Sequence, residues 1–245
     1  MTIPDGFNQQ EWAEVCGEAT ALLQTLLRIN TTNPPGDEVV AARALEQSLG
    51  IDGLTCQIIE AAPGRANLIC RLESGSDAEP LLLATHLDVV PAGDEARWTH
   101  PPFGGELVDG YIWGRGAVDM KNMVAMSAMV AKLLKRRGVT LGRDVIFAAV
   151  ADEEAGCTYG SRFLVEEHPE LVRAGYAIGE VGGVNISVKG ARVCPVQTAE
   201  KGKAWLRITA RGPSGHGSMP MKDSTVIRLS EALTRLGKTP LPQHN

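Results

Sequence analysis

The amino-acid sequence predicts an α/β fold: a three-layer sandwich with a largely parallel sheet, plus the start of a second, α+β domain. Three observations carry this. Short, almost wholly apolar runs such as "PLLLAT" and "DVIFAAVA" read as strands covered on both faces. Segments with helical spacing alternate with them along the chain. From "KGKAWLRITARG" onward the pattern changes to alternation of apolar and polar positions, as in a sheet with one solvated face.

In order, "QQEWAEVCGEATALLQTLLRI" has helical spacing through Trp12, Val15, Leu22, Leu23, Leu26 and Leu27. "NTTNPPG" stops it with turn residues and two prolines. "DEVVAARALEQSL" is a second helix, followed by three short strands in "LTCQIIE", "ANLICRL" and "PLLLAT". The stretch from Pro91 to Asp119 has little periodicity and reads as a long functional loop. Helix returns in "KNMVAMSAMVAKLLKRR", then strand in "DVIFAAVA", helix in "YGSRFLVEEH" and strand in "GYAIG". "DSTVIRLSEALTRLGK" is an amphipathic helix with Asp223 or Ser224 as its cap. A boundary near residues 199 to 203 divides a first domain, residues 1–200, from an incomplete second unit, residues 201–245, too short for a comfortable core of its own.

The 245 residues carry a net charge of −5 and no basic stripe beyond "KLLKRRG", which argues against a nucleic-acid partner. That cluster falls at a helix C-terminus, where cations are favoured anyway. Five cysteines, odd in number and without a CxxC pair, argue against a disulfide framework and for a reducing compartment. There is no signal-peptide pattern and no apolar stretch of membrane-spanning length, so the expectation is a cytoplasmic protein.

Chemistry collects at predicted strand ends. "LLLATHLD" ends in His86 and Asp88, "DVIFAAVADEE" in Asp152, Glu153 and Glu154, and "GYAIGE" in Glu180; Asp119 opens a helix. In open α/β sheets ligands sit beyond the carboxyl ends of the strands, which would gather these groups in one cleft. So many carboxylates repel one another unless a cation neutralises them. Imidazole with carboxylates suits zinc, with manganese or cobalt as substitutes. Asp88 lies two residues from His86 and can take its other ring N–H, fixing the tautomer. Each signal alone has an ordinary reading: a structural hydrogen-bonded pair, a solvated acidic surface, a helix cap at Asp119. Their joint placement favours metal.

"GPSGHGS" lacks the Lys-Ser/Thr of a phosphate loop, and the G-x-S-x-G elbow of a serine hydrolase is absent, so Ser214 and His216 support neither.

"THLDVVPAG", "PPFGGELVDGYIWGRGAVDMK", "ADEEAG" and "GPSGHGSMP" together resemble the aminoacylase, glutamate-carboxypeptidase and desuccinylase family of dinuclear zinc hydrolases. The resemblance runs from about residue 15 to residue 235 and is nearest the carboxypeptidase and aminoacylase branch. It implies that His86 binds one metal with Glu180, that Asp119 bridges both, and that Glu154 binds the second. Asp88 would orient His86. Glu153 would be the general base, taking a proton from a metal-activated water and passing it to the leaving amine. The Asp119–Met120 bond would be cis. Residues 1–200 would be the catalytic domain and residues 201–245 the start of a lid and dimerisation domain, from which His216 would reach a partner subunit's site to stabilise the carbonyl oxyanion; a homodimer through the lid is thus an implied partner. The substrate would be a peptide or N-acyl amino acid, with two zinc ions as cofactor.

The family pattern continues past this chain to a late metal-binding histidine. His244, in "TPLPQHN", has no surrounding match to that motif, so the expectation is a fragment of a longer enzyme. Acetylornithine deacetylase or succinyl-diaminopimelate desuccinylase activity is the alternative within the enzyme class. Outside it stands a non-catalytic remnant binding at most one metal.

Overall fold

The computed structural model describes residues 3–180, 185–194, 206–216, 218–219 and 224–240. The chain divides into two compact units, residues 1–198 and 199–245.

In the first unit, α1 (Gln9–Arg28) opens on a capping box: Asn8 Oδ1 accepts from the Glu11 amide and Glu11 Oε2 from the Asn8 amide, both at 2.9 Å. Leu22, Leu23, Leu26 and Leu27 form its buried stripe. Helix α2 (Glu38–Gly50) buries Ala41, Ala42, Leu45 and Leu49. Strands β1 (Cys56–Ala62), β2 (Arg65–Leu72) and β3 (Leu81–His86) follow. All three lie where the apolar runs place them.

The segment expected to be a long loop contains a short hairpin, β4 (Glu106–Val108) with β5 (Tyr111–Trp113). Asp109 and Gly110 join the two strands with φ of 51° and 81°. A two-residue Asp-Gly connection with both φ positive matches the right-handed twist of paired strands. Next come α3 (Lys121–Arg136), β6 (Val145–Val150), α4 (Ser161–Glu167), α5 (Pro169–Val172) and β7 (Tyr176–Ile178). The single helix expected over "YGSRFLVEEH" ends at Glu167, because Pro169 cannot continue the ladder and starts a new turn instead. A second hairpin, β8 (Ile186–Val188) with β9 (Ala191–Val193), turns on Lys189 and Gly190.

The central sheet has the order β1-β2-β6-β3-β7. Strand β3 pairs in parallel with β6 on one side and with β7 on the other, whereas β2 is antiparallel to both β1 and β6. Only β2 is reversed. The largely parallel expectation therefore holds for strand direction, with a mixed ladder on one side.

Alternation along β6 divides the core in two. Val145, Phe147 and Ala149 face one layer together with Leu68, Cys70, Leu83 and residues of α1, α2 and α3. Ile146 and Ala148 face the other, with Ile69, Leu164 and residues of α4 and α5. Helices on both faces make the three layers. Among the "KLLKRRG" cations, Lys132 lies 3.3 Å from Asp52, and Arg136 pairs with Glu18 and Asp52. All five cysteines are free.

In the second unit, α6 (Thr225–Lys238) is capped by Ser224, whose hydroxyl accepts from the Ile227 amide. The alternative cap Asp223, the expected boundary at 199 to 203, and His244 lie outside the described residues. The strand expected in "KGKAWLRITARG" is not formed over its described part, residues 206–212. Alternation alone does not make a strand; its backbone groups need a neighbouring ladder, and this stretch has none among the described residues. Among the described residues, no helix is long and apolar enough to cross a membrane.

Phe147 fills the middle of the larger layer with no exposed surface. Phe147→Ala should lower the unfolding free energy by about 3–5 kcal/mol in denaturant titrations. A loss below about 1 kcal/mol would mean that the layer repacks around the void.

Candidate metal centre

Strand β3 delivers His86 at its carboxyl end, buried beneath the loop that follows β6. Its Nδ1 lies 3.0 Å from the Asp88 carbonyl oxygen and 3.4 Å from Asp88 Oδ1. Both acceptors lie on that side of the ring, and the carbonyl is the nearer. The ring therefore aims Nε2 away from Asp88 and toward other carboxylates: Asp119 Oδ1 at 3.1 Å, Glu180 Oε2 at 3.4 Å and Glu153 Oε2 at 3.9 Å.

These groups form two overlapping clusters, His86 with Asp119 and Glu180, and His86 with Glu153 and Glu154. In each, one donor atom per residue lies within 4.8 Å of the others. Six of the seven residues expected at the strand ends and helix start, His86, Asp88, Asp119, Glu153, Glu154 and Glu180, thus come together. The Asp119–Met120 peptide is cis.

Asp152 departs from the expectation. The sequence groups it with its neighbours as a cleft carboxylate, but its side chain turns into the protein. There it accepts from Asn33 Nδ2 at 2.9 Å, Arg65 Nη2 at 3.1 Å and the Tyr159 amide at 3.2 Å. A buried carboxylate needs such partners, and a guanidinium beside it makes the inward rotamer favourable. His216 is exposed in the second unit, with Nδ1 2.7 Å from Ser218 Oγ.

Residues not singled out from sequence hold the cluster. Asn33 Nδ2 donates to Asp88 Oδ2 at 2.8 Å. The segment carrying Asn33 runs beside the end of β3, with the Asn33 amide 2.9 Å from the Val89 carbonyl. Asp88 also accepts from the Glu153 and Glu154 amides, at 3.0 and 3.1 Å. Lys121 is wholly buried, and its Nζ donates to the Leu26 and Ile29 carbonyls at 2.9 and 2.8 Å, anchoring the start of α3 against the end of α1. Burial brings its pKa down to about 8.

The electrostatics describe a site short of positive charge. Burial opposes a charged His86, yet Asp88, Glu180 and Glu153 hold its pKa up at about 9. Burial, with Asp119 and Glu153 nearby, pushes Glu154 and Glu180 above the usual carboxylate range. Asp88 moves the other way: burial raises it, but hydrogen bonds from His86, Asn33 and the Glu153 amide outweigh that and keep it ionised.

A divalent cation fits this donor set. Tetrahedral ligands at zinc–ligand distances near 2.0–2.1 Å stand about 3.3 Å apart, close to the spacings of His86 Nε2 from Asp119 and Glu180. The buried face of His86 is occupied by Asp88, as expected of an imidazole whose other nitrogen binds metal.

Comparison with known proteins is consistent with this geometry. Residues 82–242 match the family model described as peptidase family M20/M25/M40. Aminoacylase-1 of Sus scrofa is 33% identical over 222 residues, which is 89% of this chain and 53% of that protein. Succinyl-diaminopimelate desuccinylase of Rhodospirillum centenum is 34% identical over 227 residues, 90% of this chain and 57% of that protein. The chain thus spans about half the length of the curated relatives it matches. An M20-family metallo-carboxypeptidase from Sulfolobus solfataricus shares the fold with a TM-score of 0.59, at 20% identity over 71% of this chain and 39% of that one.

A cation that binds here should stabilise the folded chain. Zinc at about 100 times its dissociation constant should add about 2.7 kcal/mol, read as a higher melting temperature that a chelator reverses. His86→Ala should remove the increment. An equal increment in that variant would place the binding elsewhere.

Proposed function

The chain belongs to peptidase family M20/M25/M40, and on that premise we propose that it carries the centre of a metal-dependent hydrolase. The reaction is cleavage of an amide or peptide bond next to a free carboxylate, as in a peptide or N-acyl amino acid. The observation that carries this reading is the placement of His86 Nε2 within 3.1–3.9 Å of three carboxylates while Asp88 occupies its other nitrogen.

In this proposal His86, Asp119 and Glu180 hold one cation, and Asp119 and Glu154 contribute to a second. Zinc is the metal the donors suit best, with cobalt or manganese as substitutes. Bound cations supply a water of lowered pKa and a polarised scissile carbonyl. The remaining steps belong to side chains. Glu153 accepts the proton of the attacking water and returns it to the leaving amine. Asp88 keeps the His86 ring in one tautomer and orientation. His216 donates to the carbonyl oxyanion of a partner copy's substrate, a role that requires a homodimer.

The aminoacylase and desuccinylase relatives match this chain almost equally, at 33% and 34%. N-acetyl amino acids, dipeptides, N-acetylornithine and N-succinyl-diaminopimelate therefore form the panel that identifies the acyl group.

Glu153→Gln should lower kcat on the best of these substrates by about 100- to 10,000-fold. Bound metal per chain, measured by elemental analysis, should not change. Turnover within about threefold of the parent would remove Glu153 from the base role.

A further inference from the structure

A buried network lies directly behind the carboxylate cluster. Arg65, at the start of β2, grips Glu38 of α2 with two prongs, Nε to Oε2 and Nη2 to Oε1, each 2.8 Å. The same Nη2 reaches Asp152 Oδ1 at 3.1 Å. Glu38 Oε1 also accepts from the Asp152 amide at 3.3 Å, and the Tyr159 ring lies 4.9 Å from the guanidinium. Gly36, with φ of 90°, makes room for this packing: a Cβ there would overlap the Arg65 side chain.

Asp152 is in the left-handed region, with φ of 64°. That conformation is uncommon for a residue with a side chain and persists where its surroundings dictate it. Here it breaks strand alternation just after β6, so that the next two amides, those of Glu153 and Glu154, both point at Asp88.

We infer that Glu38, Arg65 and Asp152 are positioning residues: the buried ion pair pins the left-handed turn at Asp152, and that turn sets where Glu153 and Glu154 stand relative to His86. The inference rests on the roles proposed above for Glu153 and Glu154. A network that served stability alone would behave differently. Replacing both members of a buried ion pair by apolar residues of similar size often leaves stability unharmed, and Asp152, which loses Arg65 in that variant, keeps the Asn33 side chain and the Tyr159 amide as donors, so stability and positioning can be separated.

The test uses the whole chain and reads amide hydrogen exchange at Glu153 and Glu154 by NMR. In Glu38→Met/Arg65→Met, both amides should exchange about tenfold faster or more, while the amides of β6 keep their protection. Asp152→Gly tolerates the positive φ but lacks the side-chain acceptors, and should show the same selective loss. Asp152→Asn tolerates the conformation and keeps the oxygen that faces Asn33 and Arg65, losing only the acceptor of the Tyr159 amide, so it should lose less protection than Asp152→Gly. Unchanged protection in the double variant, or in Asp152→Gly, would overturn the inference. So would an equal loss across β6, which reports general loosening. Should the double variant not fold, the two Asp152 variants decide the matter.

Cobalt(II) titration separates this inference from the reading beneath it. Failure of the parent chain to bind cobalt would overturn the metal reading, with the exchange data still deciding the role of the network. Binding by the parent that the double variant retains undiminished would overturn the inference.

Discussion

Asp88 is the constraint on which the site depends. Its carboxylate is fully buried yet ionised, and a charge so placed must collect hydrogen bonds from whatever surrounds it. The donors come from separate parts of the chain: Asn33 after α1, and the Glu153 and Glu154 amides after β6, with the His86 ring alongside. Satisfying one carboxylate therefore fixes the mutual position of three segments. The groups that face the cluster have little freedom left once Asp88 is satisfied.

Burial falls off across the site. The His86 side chain is 2% exposed, whereas that of Asp119, which touches it, is 63% exposed. The protein thus rigidifies the imidazole and leaves the opposing carboxylates open to solvent. An exposed carboxylate is screened and hydrated, so it waits for a cation at modest cost; a buried one in the same position would have to neutralise itself by taking up a proton. Burial and the neighbouring carboxylates already shift Glu154 and Glu180 in that direction.

The fold and the cluster were largely legible in the sequence because both follow from repeating local patterns. Apolar runs mark covered strands, and in such sheets the polar residues just beyond them collect at one edge. What could not be read depends on single side-chain orientations. Nothing in "ADEEAG" says which acidic residue turns inward, and simple alternation would pair Asp152 with Glu154 rather than set it apart. The partner that decides this, Arg65, is 87 residues away. The Asp109–Gly110 hairpin is a different kind of omission. Its turn chemistry was present in the sequence, hidden only because the flanking strands are three residues each. The strand expected in "KGKAWLRITARG" shows the converse, a correct-looking period with no partner strand among the described residues.

The reversed strand in an otherwise co-directional sheet has a consequence for the site. In a sheet whose strands all pointed one way, only carboxyl ends would meet the cluster, and every strand would contribute its last residues. Because β2 runs against β6, it contributes its first residue. Extending the register Leu68↔Ala149 along both strands sets Arg65 opposite Asp152. The ladder itself thus brings a guanidinium to the turn where the chain leaves β6, and Glu38 arrives with the helix packed over β1 and β2. A parallel strand in that place would have offered a residue from its far end instead. The reversal of β2 is what lets a cationic side chain stand behind the acidic cluster, on its protein side, without competing for the space in front of His86.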